Sequence, residues 1–181
     1  LDTIQQAFSG LNDLCLYSHI PFCETRCFYC EYTVVGKEEL SETKRYMQYL
    51  SKELALYRDL LGTKRRTLSG FDIGGGTPSF VEADLIAEHV SQVNDSFTIW
   101  PGMQISIETT PKIAAEQPEK MSAYYEMGIR RISMGVQTIN PRLLEAVERT
   151  ATSITYNQEA VENIRLAGFQ RFNIDIMYGF A

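Results

Sequence analysis

Hydrophobic and polar residues follow two alternating patterns along this chain. Short runs with an apolar residue at every second position predict β-strands, and longer stretches with apolar residues three to four positions apart predict amphipathic helices. The strands are predicted over residues 14–20, 68–73, 104–109, 131–136 and 172–177, and the helices over 39–61, 82–96, 118–128, 141–148 and 155–168. Helices that regularly separate strands indicate an α/β fold with parallel strands joined by right-handed crossovers.

Unusual residue types stand at or near the end of each predicted strand. A cysteine-rich loop follows the first strand and a Gly-Gly-Gly-Thr-Pro run, residues 74–78, follows the second, while Glu108, Gln137 and Asp175 close the other three. The carboxyl ends of parallel strands lie together, and such folds bind their ligands there. The pattern therefore predicts one site built from all five strand ends.

The cysteine-rich loop has the spacing C-x3-C-x2-C, formed by Cys23, Cys27 and Cys30. A [4Fe–4S] cluster has four irons and is usually held by four thiolates. Three thiolates on one loop would leave one iron open to a small molecule, which favours a catalytic cluster. A zinc site with Cys15 as fourth ligand is an alternative, although its spacing fits common zinc motifs poorly. A disulfide framework is disfavoured because a chain of this length can build a core without one, and Cys15, in an apolar run, is predicted to be a buried, inert thiol.

Composition narrows the class of protein. The chain has 181 residues, of which 44% are apolar and 22% charged, as in soluble globular domains. No run approaches the ~18 apolar residues of a membrane span and no signal peptide opens the sequence, so we predict no membrane association. Cysteines without a secretion signal favour a cytoplasmic location. The net charge is −6 with scattered basic residues, which argues against a nucleic-acid partner.

The cysteine loop and three further motifs carry a family resemblance. The sequence Y-x-H-I-P-F leads into the cysteines, G-G-G-T-P follows the second strand, and S-x-G-V-Q forms residues 133–137. Together they resemble the radical S-adenosylmethionine (SAM) superfamily, in the branch of oxygen-independent coproporphyrinogen III dehydrogenases. The resemblance implies a partial (β/α)6 barrel. We expect residues 1–13 to be a lead-in and 14–181 to form the first five βα units, with the barrel incomplete at the C-terminus and completed by further sequence or another chain.

The resemblance also implies the cofactors and their contacts. A [4Fe–4S] cluster would be held by Cys23, Cys27 and Cys30, and Tyr17 and His19 of the Y-x-H motif would act as catalytic residues near it. The residues implied to contact SAM are Tyr17, Gly75, Gly76, Thr77, Glu108, Gln137, Arg149 and Asp175.

Taken singly, several of these residues have plainer explanations. The glycine run could serve a tight strand-to-helix turn, Glu108 could be a solvated carboxylate, and Arg149 could be an exposed arginine at a helix end. His19 could be a core histidine bonded to the backbone. His89, the other histidine, is predicted to be solvated on a helix.

The activity implied by the resemblance is reductive cleavage of SAM to a 5′-deoxyadenosyl radical, which abstracts hydrogen from a small-molecule substrate, tetrapyrrole-like or another metabolite. An external one-electron donor such as flavodoxin would be needed. Coproporphyrinogen dehydrogenases usually continue C-x-C after the third cysteine, whereas Cys30 is followed by Glu31 and Tyr32. Two alternatives therefore stay open: a radical methyltransferase that uses a second SAM, and a non-catalytic haem chaperone on the same scaffold.

Overall fold

The computed structural model of the protein describes residues 2–36, 41–62, 65–149 and 151–179. Its strands are β1 (Asp13–Ile20), β2 (Thr67–Gly75), β3 (Thr98–Ile99), β4 (Ile105–Thr109), β5 (Ile129–Gln137) and β6 (Phe172–Ile176). Its helices are α1 (Asp2–Phe8), α2 (Thr43–Leu60), α3 (Ala83–Ser96), α4 (Pro111–Glu116), α5 (Pro118–Glu126), α6 (Pro141–Ala146) and α7 (Ile154–Leu166). A 3-10 turn covers Pro78–Phe80. None of these described helices is both long and apolar enough to cross a membrane.

The strands form one sheet in the order β1-β2-β4-β5-β6, and the two-residue β3 pairs with β2 beside them. Every pairing is parallel. The order follows the chain, so each helical connection runs from one strand to a spatial neighbour and all carboxyl ends lie at the same edge. The predicted parallel α/β arrangement is thus present, and all five predicted strands form.

The two faces of the sheet differ in chemistry. One face carries fully buried side chains such as Ile73, Ile107 and Ile132, which pack with the helices in a single core. The other face carries polar side chains at the alternating positions. There, Arg131 Nη2 donates to Asp72 Oδ1 at 2.6 Å, and Ser106 Oγ donates to the same carboxylate oxygen. Strands buried on both faces would read as continuous apolar runs, so the alternation seen in the sequence reflects this polar second face.

Helix boundaries differ from the predictions where capping is involved. The last helix begins after Ser153, whose side chain accepts a hydrogen bond from Tyr156 N, so the predicted cap at Thr155 is wrong by two residues. Helix α4 was not predicted, because six residues are too few for a periodic pattern. It begins at a proline, and the Thr110 side chain caps it by accepting from Ile113 N. The predicted start of α2, at residues 39–40, lies outside the described residues.

Two predictions of burial were wrong. Cys15 is exposed, because β1 is an edge strand and Cys15 lies on the polar face of the sheet, 3.6 Å from Ser69 Oγ. His89 is only 2% exposed, since α3 turns it toward the sheet, where its Nε2 lies 2.8 Å from Ser18 Oγ. Burial lowers the pKa of His89 to about 4. Its position three residues after the buried Ile86 was the overlooked signal of an inward-facing side chain.

Candidate functional site

A cavity of about 220 Å³ lies at the carboxyl ends of the strands. It is bounded by the loop that follows β1, the ends of β2, β4 and β5, and one residue of β6. The predicted site residues that line it are Cys23, Cys27, Cys30, Gly75, Gly76, Thr77, Glu108, Gln137, Arg149 and Asp175. Tyr17 and His19 do not line it.

Backbone hydrogen bonds fix the shape of the cysteine loop. Cys23 N donates to Val35 O at 3.0 Å, and Cys30 N donates to Cys27 O at 3.0 Å. A long-range ion pair adds a further anchor. Lys112 Nζ at the start of α4 lies 2.7 and 3.0 Å from the two carboxylate oxygens of Glu24, inside the loop. The loop is therefore tied both to itself and to the helix that follows β4.

Within the part of the chain that the structure describes, the sulfurs of Cys23 and Cys27 each have a polar neighbour. Thr77 Oγ1 lies 3.5 Å from Cys23 Sγ, and Arg149 Nη1 lies 3.4 Å from Cys27 Sγ. Burial raises the pKa of the Cys23 thiol, an effect that the contact with Thr77 opposes. Thiolates in this environment need either a metal or a nearby donor to remain charged.

Three thiols that line one cavity are the donor set by which iron–sulfur clusters are held. Among the residues that the structure describes, no three His, Cys, Asp or Glu side chains converge closely enough to hold one metal ion. A cubane instead offers a separate iron to each thiolate, so its ligands surround a space. All four cysteines are free thiols, and Cys15, which the zinc alternative requires, lies against Ser69 rather than in this cavity.

The glycine run packs against the backbone that leads into the cysteine loop. A β-carbon on Gly75 would lie 2.7 Å from Ile20 O, and one on Gly76 would lie 2.6 Å from Pro21 O. Gly75 also has φ +131°, which side chains rarely allow. Gly76 N donates to Ile20 O at 2.9 Å. The tight-turn explanation therefore holds in part. The glycines let two backbone segments come into contact, and Gly75 and Gly76 also line the cavity.

Glu108 is not a solvated carboxylate. Its Oε2 accepts a hydrogen bond from Gly75 N at 3.1 Å. Burial raises the pKa of Glu108, the bond from Gly75 opposes this, and the negative charge of Asp175 raises the pKa further. A β-carbon on Gly74 would lie 2.9 Å from both Glu108 Oε1 and Tyr17 Cε2, so this glycine lets the two side chains approach over it.

Tyr17 and His19 form a pair on β1 beside the cavity. Tyr17 Oη lies 3.2 Å from His19 Nδ1, and His19 Nε2 donates to Thr33 O at 3.2 Å. Because a carbonyl only accepts, a neutral His19 carries its proton on Nε2 and accepts from Tyr17 at Nδ1. Burial, followed by the nearby charge of Glu108, raises the pKa of Tyr17. His19 is half-buried rather than a core residue, although its ring does bond to the backbone at Thr33.

Gly135 makes room for two polar side chains at the end of β5. A β-carbon there would lie 2.8 Å from Arg149 Nη2 and 2.9 Å from Gln137 Nε2. Gln137 has φ 68° and Glu148 has φ 52°, left-handed conformations that turn the chain at both ends of this region. Arg149 Nη2 donates to Gly135 O at 2.5 Å. Arg149 is therefore a partly buried site residue rather than an exposed arginine at a helix end.

Several residues of the site were not predicted. Tyr29 precedes the third cysteine, and burial raises the pKa of its hydroxyl, which lies buried next to Cys27. Its position between two cysteines was an available signal. No sequence signal indicates the Lys112–Glu24 ion pair, because 88 residues separate its members. The other unpredicted residues that line the cavity are Thr25, Arg26, Tyr32, Val34, Thr109, Thr110, Ser133 and Gly135.

Known proteins are similar to this chain in sequence and in fold. The sequence profile of the Radical SAM superfamily matches residues 17–181. A heme chaperone HemW from Buchnera aphidicola subsp. Schizaphis graminum is 37% identical over 174 residues, which cover 93% of this chain and 43% of that protein. An oxygen-independent coproporphyrinogen III oxidase from Helicobacter pylori is 32% identical over 169 residues, which cover 92% of this chain and 36% of that protein.

A solved structure, that of the radical SAM enzyme coproporphyrinogen III oxidase (HemN) from Escherichia coli, is similar with a TM-score of 0.89 at 26% identity. The match covers 99% of this chain and 41% of HemN, and it confirms the predicted partial barrel of parallel strands. This chain spans less than half the length of these relatives. Proteins of the superfamily use a [4Fe–4S] cluster and SAM, so the predicted cofactors are confirmed at that level. The chain belongs to the radical SAM superfamily and, within it, to the HemN-like branch.

Proposed function

We propose that this chain is the cofactor-binding core of a radical SAM enzyme, in which Cys23, Cys27 and Cys30 hold the [4Fe–4S] cluster. The observation that carries the proposal is that the three thiols share one cavity with the glycine run and with polar side chains from three further strands. When bound, the cofactors supply one-electron cleavage of the SAM sulfonium, which releases methionine and a 5′-deoxyadenosyl radical for hydrogen abstraction.

The protein's part is to bind and orient SAM. Glu108, already held by Gly75 N, has carboxylate lone pairs left to accept hydrogen bonds from SAM. Arg149 has further N–H groups to donate to the SAM carboxylate. Gln137 and Asp175 extend the cavity wall to β5 and β6, where they can contact the nucleoside. Gly75, Gly76 and Thr77 line the same cavity, and their backbone carbonyls are proposed to accept from the SAM ammonium.

Tyr17 and His19 are proposed to act from the neighbouring wall. Tyr17 reaches the space above Gly74 beside Glu108, and its hydroxyl is held by His19. A substrate on the polar face of the sheet would meet this tyrosine next to the cofactor cavity. An external electron donor such as flavodoxin and a small-molecule substrate, tetrapyrrole-like or another metabolite, complete the proposal, with a cytoplasmic location.

A haem chaperone is the second candidate. It is favoured by the HemW relative at 37% identity and by the residues that follow Cys30, where Glu31 and Tyr32 replace the usual C-x-C. A radical methyltransferase would share the same cofactor core and add a second SAM.

One set of anaerobic measurements tests these candidates. We expect the reconstituted chain to contain a [4Fe–4S] cluster, Cys23→Ala, Cys27→Ala and Cys30→Ala to lose it, and Cys15→Ala to keep it as the matched control. Full iron content in Cys27→Ala, or stoichiometric zinc, would contradict the ligand assignment. Reduction with dithionite in the presence of SAM should release 5′-deoxyadenosine. Tight haem binding without deoxyadenosine release would favour the chaperone.

A further inference from the structure

The guanidinium of Arg149 faces the cluster loop rather than only the ligand space. Its Nη1 donates to Cys27 Sγ at 3.4 Å, and its Nη2 donates to Gly135 O at 2.5 Å. Cys27 is the most buried of the three loop cysteines, with 7% of its surface exposed. This N–H···S contact joins residues 122 positions apart, so the tertiary fold creates it.

The surrounding chain holds this guanidinium in place. The left-handed turn at Glu148 directs the arginine back toward the sheet, and Gly135 leaves the space that its Nη2 occupies. Arg149 N also donates to Leu144 O at 2.8 Å, which ties the backbone to the preceding helix. The Nε atom of Arg149 is buried. A planar guanidinium fixed in this way keeps its direction, and an arginine side chain stays positively charged at every working pH.

We infer that Arg149 is a positioning and electrostatic residue for the cluster itself, and that its N–H···S bond to Cys27 raises the cluster's reduction potential. Reduction adds one negative charge to the cluster and its thiolates. Hydrogen bonds to ligand sulfurs and nearby positive charge stabilise the reduced state more than the oxidised one. The inference rests on the proposed role of Cys27 as a cluster ligand, and it gives Arg149 a task that is separate from binding SAM.

Arg26 provides a matched control on the same loop. It is an exposed arginine whose Nη2 donates to Cys30 O at 3.0 Å, a backbone carbonyl rather than a sulfur. Arg26→Met removes one positive charge beside the cluster loop without removing an N–H···S bond. Arg149→Met removes both, with a side chain of similar length.

The experiment is a potentiometric titration with dithionite and mediators, followed by the EPR signal of the reduced cluster, on reconstituted protein without SAM. We expect Arg149→Met to reduce the equilibrium constant of reduction at least tenfold relative to wild type, a shift of about −59 mV for one electron. Arg26→Met should shift it clearly less, and Arg149→Lys, which keeps the charge, should fall between. Resonance Raman bands of the Fe–Sγ stretches should shift in D2O for wild type and shift less in Arg149→Met.

The outcomes distinguish the role of Arg149 from the proposed function. A wild-type chain without a [4Fe–4S] cluster would overturn the proposed function. A wild-type cluster whose potential is unchanged in Arg149→Met, or is lowered equally in Arg26→Met, would overturn the role of Arg149 and leave the proposed function standing. If Arg149→Met assembles no cluster, the role of Arg149 is tested with Arg149→Lys and with the D2O shift of the wild type. An unchanged potential in Arg149→Lys, or no deuterium shift in the wild type, would refute the N–H···S bond.

Discussion

Replacing Gly76 with alanine tests how closely the glycine run and the cysteine loop depend on each other. The new β-carbon would lie 2.6 Å from Pro21 O and 2.8 Å from Phe22 O, closer than carbon and oxygen approach without bonding. Both atoms belong to rigid backbone, so the loop would have to move. The movement would break the bonds from Gly76 N to Ile20 O and from Thr77 N to Phe22 O, 2.9 and 2.8 Å long.

The cost follows from these contacts. Overpacking costs about 1–3 kcal/mol, and two lost hydrogen bonds cost about 1 kcal/mol each. Alanine also restricts the unfolded chain, which offsets about 0.4–1 kcal/mol. We therefore expect Gly76→Ala to lower the free energy of unfolding by about 2–5 kcal/mol. Cluster content after reconstitution should fall as well, because the loop that carries Cys23 begins at the displaced residues.

Urea unfolding, together with iron and sulfide analysis, measures both effects. Gly10→Ala is the control, because a β-carbon on Gly10 would meet nothing within 4 Å. Unfolding of Gly76→Ala at the same urea concentration as Gly10→Ala, together with a full cluster, would contradict the predicted clash.

Two further predictions concern titrating groups. Because burial raises the pKa of Glu108, the folded protein binds the proton of this carboxyl more tightly than the unfolded chain does. At pH values above the pKa of the unfolded chain, ionisation of Glu108 therefore lowers the free energy of unfolding. Glu108→Gln should therefore stabilise the protein near neutral pH while weakening SAM binding by calorimetry, and the same SAM affinity as wild type would contradict the assigned contact. Burial lowers the pKa of His89 from 6.5 to about 4, so stability present above pH 6.5 should be lost as the pH falls toward 4, by on the order of 3 kcal/mol. Urea titrations at several pH values measure this loss, His89→Gln should show a flatter profile, and identical profiles would refute the burial argument.

Local features of this fold could be predicted from sequence, whereas side-chain direction often could not. The strands and the cysteine spacing are local patterns, and the strand ends meet by the geometry of parallel sheets, which is why the cysteine loop, the glycine run, Glu108, Gln137 and Asp175 could be assigned to one cavity. Arg149 follows a helix, and only the family resemblance assigned it to the same site. Cys15 was misplaced because the pattern Leu-Cys-Leu does not reveal which strand lies at the edge of the sheet. Ser153 and Thr155 both suit a helix cap, and only the backbone conformation decides between them. The contact between Arg149 and Cys27 depends on how two loops fold onto each other.

The polar face of the sheet has a consequence for how such a chain can change over evolutionary time. The apolar face alone supplies the packed core, so substitutions at Asp72, Ser106 or Arg131 would leave the main source of stability intact. Closed barrels of this general type fill their interior with branched aliphatic layers, and each change there would disturb packing. In this chain, the polar face of the sheet can acquire side chains that bind a different ligand, while the packed core and the cysteine loop stay unchanged. Two relatives, at 37% and 32% identity, are named heme chaperone and coproporphyrinogen III oxidase. Substitutions on the polar face would allow one scaffold to serve functions as different as these.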